Sequence, residues 1–324
     1  MKNVILDTDI GTDVDDALAL AFAAAAPELR LIGVTTAHGN ASLRALIARR
    51  LLDLAGAAHV PVVAGRSEPL RQSAVEGFHW RELWGHEGVG LLDDGDLATR
   101  ETDPTRDAAA RFIVDAINAA PGEISLIAVG PLTNLGLAFA SDPELAGKVR
   151  DVTVMGGLVD DSSFSWGPQF ETNFNADPRA AEIVLSSGAP ITVVPLEVTL
   201  QVFLTSVQRA RLDAPDANVV AGALGRLIAA MREPFLAFNE RYGLDGSDFD
   251  ERTYMHDPLA VYAALGGDLI QTRPARLAVV YDDAQALRTI EDPDGAEVTL
   301  AHAADGPAFA ARWLEIVEGA FVQA

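Results

Sequence analysis

The sequence predicts an α/β fold, with a mainly parallel central sheet, helices on both faces and a small antiparallel addition near the C-terminus. Three observations carry this. Short β-branched runs alternate with alanine- and leucine-rich segments of helical period. Several of the runs are apolar at every position, as strands covered on both faces are. The alternation is that of βαβ units, whose crossovers make neighbouring strands parallel. With 324 residues, 49% of them hydrophobic, the chain can fill one large core, read here as a single domain over 1–324.

In order, KNVILD opens as a strand and DDALALAFAAA follows as a helix; LIGVTT then leads to the helix ASLRALIARRLLDLAG. VPVVAG is a third strand, TRDAAARFIVDAIN a helix, EISLIAV a strand and LTNLGLAFASDP a helix. DVTVMG, the helix DPRAAEIVLSSG and PITVVP complete the alternating part. After Thr205 the chain is more helical; RLAVVYD, LRTIED and EVTLAH then suggest the antiparallel addition, closed by a helix through PAFAARWLEIVEGAF. Residues 66–104 and 156–176 break the rhythm. Both are long, glycine-punctuated and aromatic, as functional loops are. No internal repeat or low-complexity linker interrupts the chain.

A formal net charge of −23 argues against nucleic acid or an anionic membrane surface as partner, because no basic stripe exists to neutralise phosphates. The absence of cysteine excludes disulfides, thiolate metal sites and a cysteine nucleophile, and fits a cytoplasmic protein. A strand that begins at once leaves no room for a signal peptide, and no apolar run approaches the length of a membrane span. A soluble cytoplasmic protein is the expectation.

In open parallel sheets ligands sit outside the carboxyl ends of the strands. There DTDIGTDVDDALAL crowds Asp7, Asp9, Asp13, Asp15 and Asp16 into one strand-to-helix junction. Helix capping accounts for one or two acids. Five repel one another, and a hard cation is the usual remedy. An EF-hand loop does not fit, since a strand leads in and Leu18 stands at the twelfth position. A phosphatase of the haloacid dehalogenase type wants threonine where Gly11 stands, and a phosphate-holding lysine for which Lys148 is a poor substitute. That phosphatase, and a non-enzymatic calcium-dependent nucleoside- or sugar-binding module, are the rival readings.

The stretch resembles the N-terminal signature of the inosine-uridine preferring nucleoside hydrolase family, usually D-x-D-P-G-x-D-D-A, here with isoleucine for proline and two extra residues before the acidic pair. The resemblance continues through TTAHGN, AVGPLTN, VTVMGG, ETNFNADPRAA and MHDPLAV, in family order. It implies hydrolysis of the N-glycosidic bond of ribonucleosides to free base and ribose, a role in nucleoside salvage, and a Ca²⁺ ion held by Asp9, Asp16, the main-chain carbonyl of Val129 and Asp257. All-oxygen ligation suits that hard cation. Asp9 would act on a water acidified by the ion, for attack through an oxocarbenium-like transition state. Asp15 would face the ribose 2′-hydroxyl, Asn40 and Asn173 the ribose, and Glu171 the 5′ end, while His256 would serve as acid to the leaving base. Asp7 would brace the loop. Relatives imply a homo-oligomer, a dimer or tetramer.

Each implied role has a plainer competitor. Asn40 fits a left-handed turn, Asn134 a helix cap and Asp257 an N-cap before Pro258; Glu171 and Asn173 fit a polar surface loop.

The sequence also departs from the family pattern. WGHEGVG puts Trp84 where many relatives have histidine, with His86 two residues on. Trp84 would stack on the base, or share a core-facing helical stripe with Trp80. Ser165 stands where relatives place an asparagine for the 5′-hydroxyl, so that contact would be weakened, or rebuilt by Trp166 or Gln169. Asn175 and Asp13 receive no role.

Overall fold

The computed structural model describes residues 1–73, 84–99, 106–160, 171–242, 248–281 and 287–321. The strands are β1 (Lys2–Thr8), β2 (Leu29–Thr36), β3 (Val62–Ala64), β4 (Ile124–Ala128), β5 (Asp151–Met155), β6 (Ile191–Val194), β7 (Phe203–Thr205), β8 (Arg252–Tyr254), β9 (Ile270–Tyr281), β10 (Leu287–Glu291) and β11 (Ala296–Ala304). The helices are α1 (Asp15–Ala25), α2 (Ala41–Leu54), α3 (Asp94–Leu97), α4 (Ala108–Ala119), α5 (Thr133–Ser141), α6 (Thr172–Ala176), α7 (Pro178–Leu185), α8 (Leu196–Thr199), α9 (Ser206–Arg209), α10 (Val219–Tyr242), α11 (His256–Ala264) and α12 (Gly306–Ala320). Every strand and helix read from the sequence appears, with ends shifted by a few residues.

Nine strands form one sheet in the order β10-β9-β11-β6-β5-β4-β1-β2-β3. From β11 to β3 all neighbours are parallel. Only β9 runs against its neighbours, so the antiparallel addition extends the main sheet. One apolar layer packs α1, α2, α10, α11 and α12 on one face, and a second packs α4, α5 and α7 on the other.

The order of strands fixes where a ligand belongs. β1 pairs with β2 on one side and β4 on the other, with Asp7 opposite both Thr35 and Ala128. The chain runs outward in both directions from β1, which makes its carboxyl end a topological switch point, the crevice where open α/β sheets bind ligands. The acidic signature is the loop that leaves this point.

Helix α1 is buried from Asp15 to Ala23, as a helix apolar nearly all round must be. Phe22 meets Phe309 edge-on at 5.9 Å, and the indole of the fully buried Trp313 donates to the Leu18 carbonyl at 3.3 Å. Each such buried aromatic contributes on the order of 2 kcal/mol from apolar burial. A helix locked this firmly holds its first turn, Asp15 and Asp16, where it is even though burial there disfavours charge.

The ribbon of β7 and β8 has no counterpart in the sequence reading, because its strands are three residues long. It matters locally. Met255 N donates to Val202 O at 3.0 Å, which sets the start of α11 and so places His256 and Asp257.

Candidate active site

The three carboxylates of Asp15, Asp16 and Asp257 converge, with ligand oxygens all within 4.8 Å of one another and each residue buried. Asp257 N also donates to Asp15 Oδ2 at 3.3 Å. Burial, joined by mutual repulsion, holds the carboxyl groups of all three well above the usual range. Three buried acids in this state satisfy one another poorly, and an all-oxygen set of this kind fits a hard divalent cation. Among the described residues this is the one such group.

Capping does not account for these acids. No side chain caps α1, whose N-cap is Val14. Asp257 lies in the first turn of α11, where Met255 is the N-cap and no side-chain cap forms, so the capping alternative for Asp257 does not describe the structure.

Asp9 lies beside this group, not within it. Its N–H donates to Asp16 Oδ1 at 3.2 Å, Asp16 also accepts from the Thr8 hydroxyl, and its carboxylate rests against Gly130. A Cβ on Gly130 would lie 2.5 Å from Asp9 Oδ1 and 2.8 Å from Asp9 N; only glycine leaves the space. Burial raises the Asp9 carboxyl above its ordinary range while the Arg44 guanidinium opposes that rise. Asp13 is exposed, accepts from Val14 N at 2.7 Å, and repels Asp15 and Asp257.

The surrounding residues fall into a supporting frame. Asp7 accepts from Thr35 and, at 2.8 Å, from Asn134, tying β1 to β2 and α5; burial lifts its carboxyl to about 7. Asn134 therefore caps nothing: it also receives Arg66 N and donates to Thr36 O, each at 3.1 Å. The helix α5 begins without a side-chain cap. Val129 follows β4, its N–H bonded to Asp7 O at 2.9 Å, and Asn173 Nδ2 donates to its carbonyl at 2.8 Å and to that of Met155 at 3.2 Å.

Glu171 is 3% exposed and N-caps α6, accepting the backbone N–H groups of Asn173, Phe174 and Gly157. Burial still raises its carboxyl to about 7. Asn40 N-caps α2 by accepting from Leu43 N at 3.1 Å, and donates to Thr99 O at 3.0 Å. The left-handed positions are its two predecessors, His38 and Gly39. His256 Nδ1 lies 2.7 Å from Thr199 Oγ1, and its ring stacks on Tyr254 at 5.4 Å. Desolvation lowers it to about 4, so the ring is neutral at pH 7.

Trp84 lies outside any helix, its ring 5.9 Å from His86 and 6.3 Å from Phe235. The helical stripe with Trp80 is not the arrangement at Trp84, and Trp80, like Ser165, Trp166 and Gln169, lies outside the described residues. His86 Nε2 meets Thr12 O at 2.9 Å, which fastens this segment to the acidic loop. Lys148, the lysine a phosphatase would need, is paired with Glu144 at 3.0 Å and bonded through its carbonyl to Gly122 N, at the amino ends of β4 and β5, away from the acidic cluster.

The sequence pattern of the inosine-uridine preferring nucleoside hydrolases matches residues 4–311. The chain belongs to that family. It is thereby a nucleoside hydrolase, cleaving N-glycosyl bonds. It is 33% identical over 273 residues to uridine nucleosidase 1 of Arabidopsis thaliana, covering 83% of this chain and 75% of that protein. Its fold matches a plant nucleoside hydrolase, PpNRh1, with a TM-score of 0.78, 29% identity and coverage of 98% and 99% of the two chains. A purine-preferring ribonucleoside hydrolase from Gardnerella vaginalis matches at a TM-score of 0.77 and 26% identity over 98% of each chain. Among the described residues no helix is long and apolar enough to cross a membrane.

Two contributors escape sequence reading. Arg44 shares the buried stripe of α2 with Ile47, Ala48 and Leu51; a charge on an apolar stripe was the available signal. Thr199, buried beside His256, carries no signal in sequence.

Proposed function

We propose that this hydrolase cleaves ribonucleosides to nucleobase and ribose with the aid of a calcium ion, acting as a single domain over 1–324 in the cytoplasm as a dimer or tetramer. The observation that carries the reading is the buried convergence of Asp15, Asp16 and Asp257 at the switch point of the sheet. Asp16, Asp257, Asp9 and the carbonyl of Val129 would hold the ion, and the raised carboxyl groups fit exchange of protons for a cation. When bound, the ion acidifies a nearby water and offers anchorage to ribose hydroxyls.

The chain's own residues supply the rest. Asp9, beside the cluster, takes the proton of the water that attacks the anomeric carbon. Asp15 accepts the ribose 2′-hydroxyl, while Asn40, Asn173 and Glu171 line the sugar. As the C–N bond breaks, positive charge gathers on the ribose ring, and the surrounding carboxylates stabilise it. Thr199 Oγ1, 2.7 Å from Nδ1, holds the ring of His256 in place, and His256 serves as acid to the departing base. Trp84 and His86 form the outer wall toward the base.

The test is a panel of purine and pyrimidine ribonucleosides with their 2′-deoxy counterparts, assayed for released sugar before and after chelation and calcium restoration. Activity should vanish with chelation and return with calcium, and the deoxy substrates should turn over poorly. Full activity after complete metal removal refutes the reading.

A further inference from the structure

Arg44 is 2% exposed, yet among the described residues it forms no ion pair. Four of its five N–H donors instead serve neutral oxygens of two turns. Nε donates to His38 O at 2.7 Å, Nη1 to Asp9 O and to Ile10 O at 3.1 Å, and Nη2 to Thr12 Oγ1 at 2.9 Å. A buried cation is costly unless its donors are fully used, and the planar fork of arginine is the side chain that can bind several fixed acceptors at once.

The network continues beyond Arg44. The Thr12 hydroxyl donates to Glu87 Oε1 at 3.4 Å, and the Glu87 carboxylate receives Trp84 N at 2.6 Å and Gly85 N at 2.8 Å. Thr12 O is the partner of His86 Nε2. The longer acidic signature and the altered WGHEGVG segment, two of the places where this chain leaves the family pattern, are therefore one connected structure.

We propose that Arg44 is a positioning residue that fixes the main chain of Asp9 and, through Thr12, couples it to the segment bearing Trp84 and His86, so that the water-activating side and the base-facing side of the pocket are held in register. The proposal rests on the reading of Asp9 and Trp84 given above. Electrostatics and positioning predict opposite outcomes for the loss of Arg44. Removing a buried positive charge near carboxylates would by itself strengthen cation binding. Releasing the Asp9 carbonyl and the loop that follows would weaken it.

The experiment uses the full chain as Arg44→Lys, Arg44→Met and Thr12→Val, with circular dichroism as the check on folding. Calcium alone is titrated by calorimetry, and kcat and KM are measured separately on a purine and a pyrimidine ribonucleoside. Arg44→Lys keeps the charge and loses the fork; it should bind calcium at least threefold more weakly and lose at least tenfold in kcat, and Arg44→Met should follow it. Thr12→Val leaves the Asp9 contact and the main-chain bond to His86 and cuts the hydroxyl link from Arg44 to Glu87; it should raise KM severalfold and change the purine to pyrimidine ratio of kcat/KM more than it changes kcat. Wild-type calcium affinity and kcat in Arg44→Lys would overturn the proposal. So would tighter calcium binding with intact kcat in Arg44→Met, or an unchanged selectivity ratio in Thr12→Val. Should the Arg44 variants fail to fold, Thr12→Val decides by its ratio. A wild-type protein that cleaves no ribonucleoside refutes the proposed function; the calorimetric comparison of Arg44→Lys with wild type then decides the positioning role on its own.

Discussion

The side-chain amide of Asn173 donates to the main-chain carbonyl of Val129 at 2.8 Å, joining the turn after β4 to helix α6 at the edge of the acidic cluster. A carbonyl so held can present its second lone pair in a fixed direction. Outer partners of this kind set the affinity of a metal site. Asn173→Ala should therefore weaken calcium binding roughly tenfold, read by titration of the ion alone. An unchanged affinity would show that Val129 O needs no orientation.

Gly130 makes a sharper case. Its Cα faces the Asp9 carboxylate so closely that a methyl group would sit 2.5 Å from Oδ1. Gly130→Ala must displace Asp9, main chain included, because the methyl would also sit 2.8 Å from Asp9 N. We expect a fall in kcat of about a hundredfold, equivalent to ~2.7 kcal/mol, and a lowered thermal midpoint. A kcat within threefold of wild type would mean that Asp9 is not the base.

Calcium should stabilise the fold as well as activate it. Asp15, Asp16 and Asp257 repel one another across a buried space, and a cation that binds only the native arrangement adds about 2.7 kcal/mol at a hundred times its dissociation constant. The midpoint of thermal unfolding should rise with calcium concentration. In Asp257→Asn the rise should be largely lost.

Thr199→Val removes a hydroxyl from His256 and changes little else in shape. Without its Nδ1 partner the ring is free to turn. Turnover of natural ribonucleosides should fall about tenfold, as loss of one proton-transfer partner does, while a riboside with an easily departing aglycone should be nearly unaffected. Equal losses on both substrates would assign Thr199 to packing alone.

Acid sensitivity has a specific source in His38. Burial, aided by Arg44, lowers its pKa from 6.5 to about 3, so between those values the unfolded chain binds a proton that the native state does not. Its stabilising contribution is complete above pH 6.5 and is lost as pH falls toward 3, at up to about 1.4 kcal/mol per pH unit. Glu171 acts in the other direction, because its pKa rises from 4.5 to about 7; its contribution is complete below pH 4.5 and is lost as pH rises through 7. His38→Asn, which suits the left-handed backbone at φ 67°, should flatten the acid limb in denaturant unfolding at pH 4 to 7. An unaltered limb would place the acid sensitivity elsewhere.

Element type was legible throughout the alternating region because strand and helix periods there are unmixed. The sheet order was not, for parallel strands in sequence order can be laid out several ways, and the reversal at β1 leaves no mark on local pattern. The acidic loop announced itself by charge density alone. Its partner Asp257 did not, since one aspartate before a proline reads as a helix start, and only the resemblance brought it to the site. Asn134 shows the limit in the other direction: a residue with a plausible local duty turns out to bond Asp7, Thr36 and Arg66 across three segments. Side-chain partners chosen over such distances depend on the assembled fold.

The hydrogen bond between Asp257 N and Asp15 Oδ2 spans 242 positions of the chain. During synthesis, then, no ribosome-bound fragment that lacks α11 can close the acidic cluster, however well its first strands have paired. Closing so large a loop is a late event. On the proposed reading the ion would be captured only once residue 257 has been made, and a chain terminated before that point would be recognisable by its inability to hold calcium.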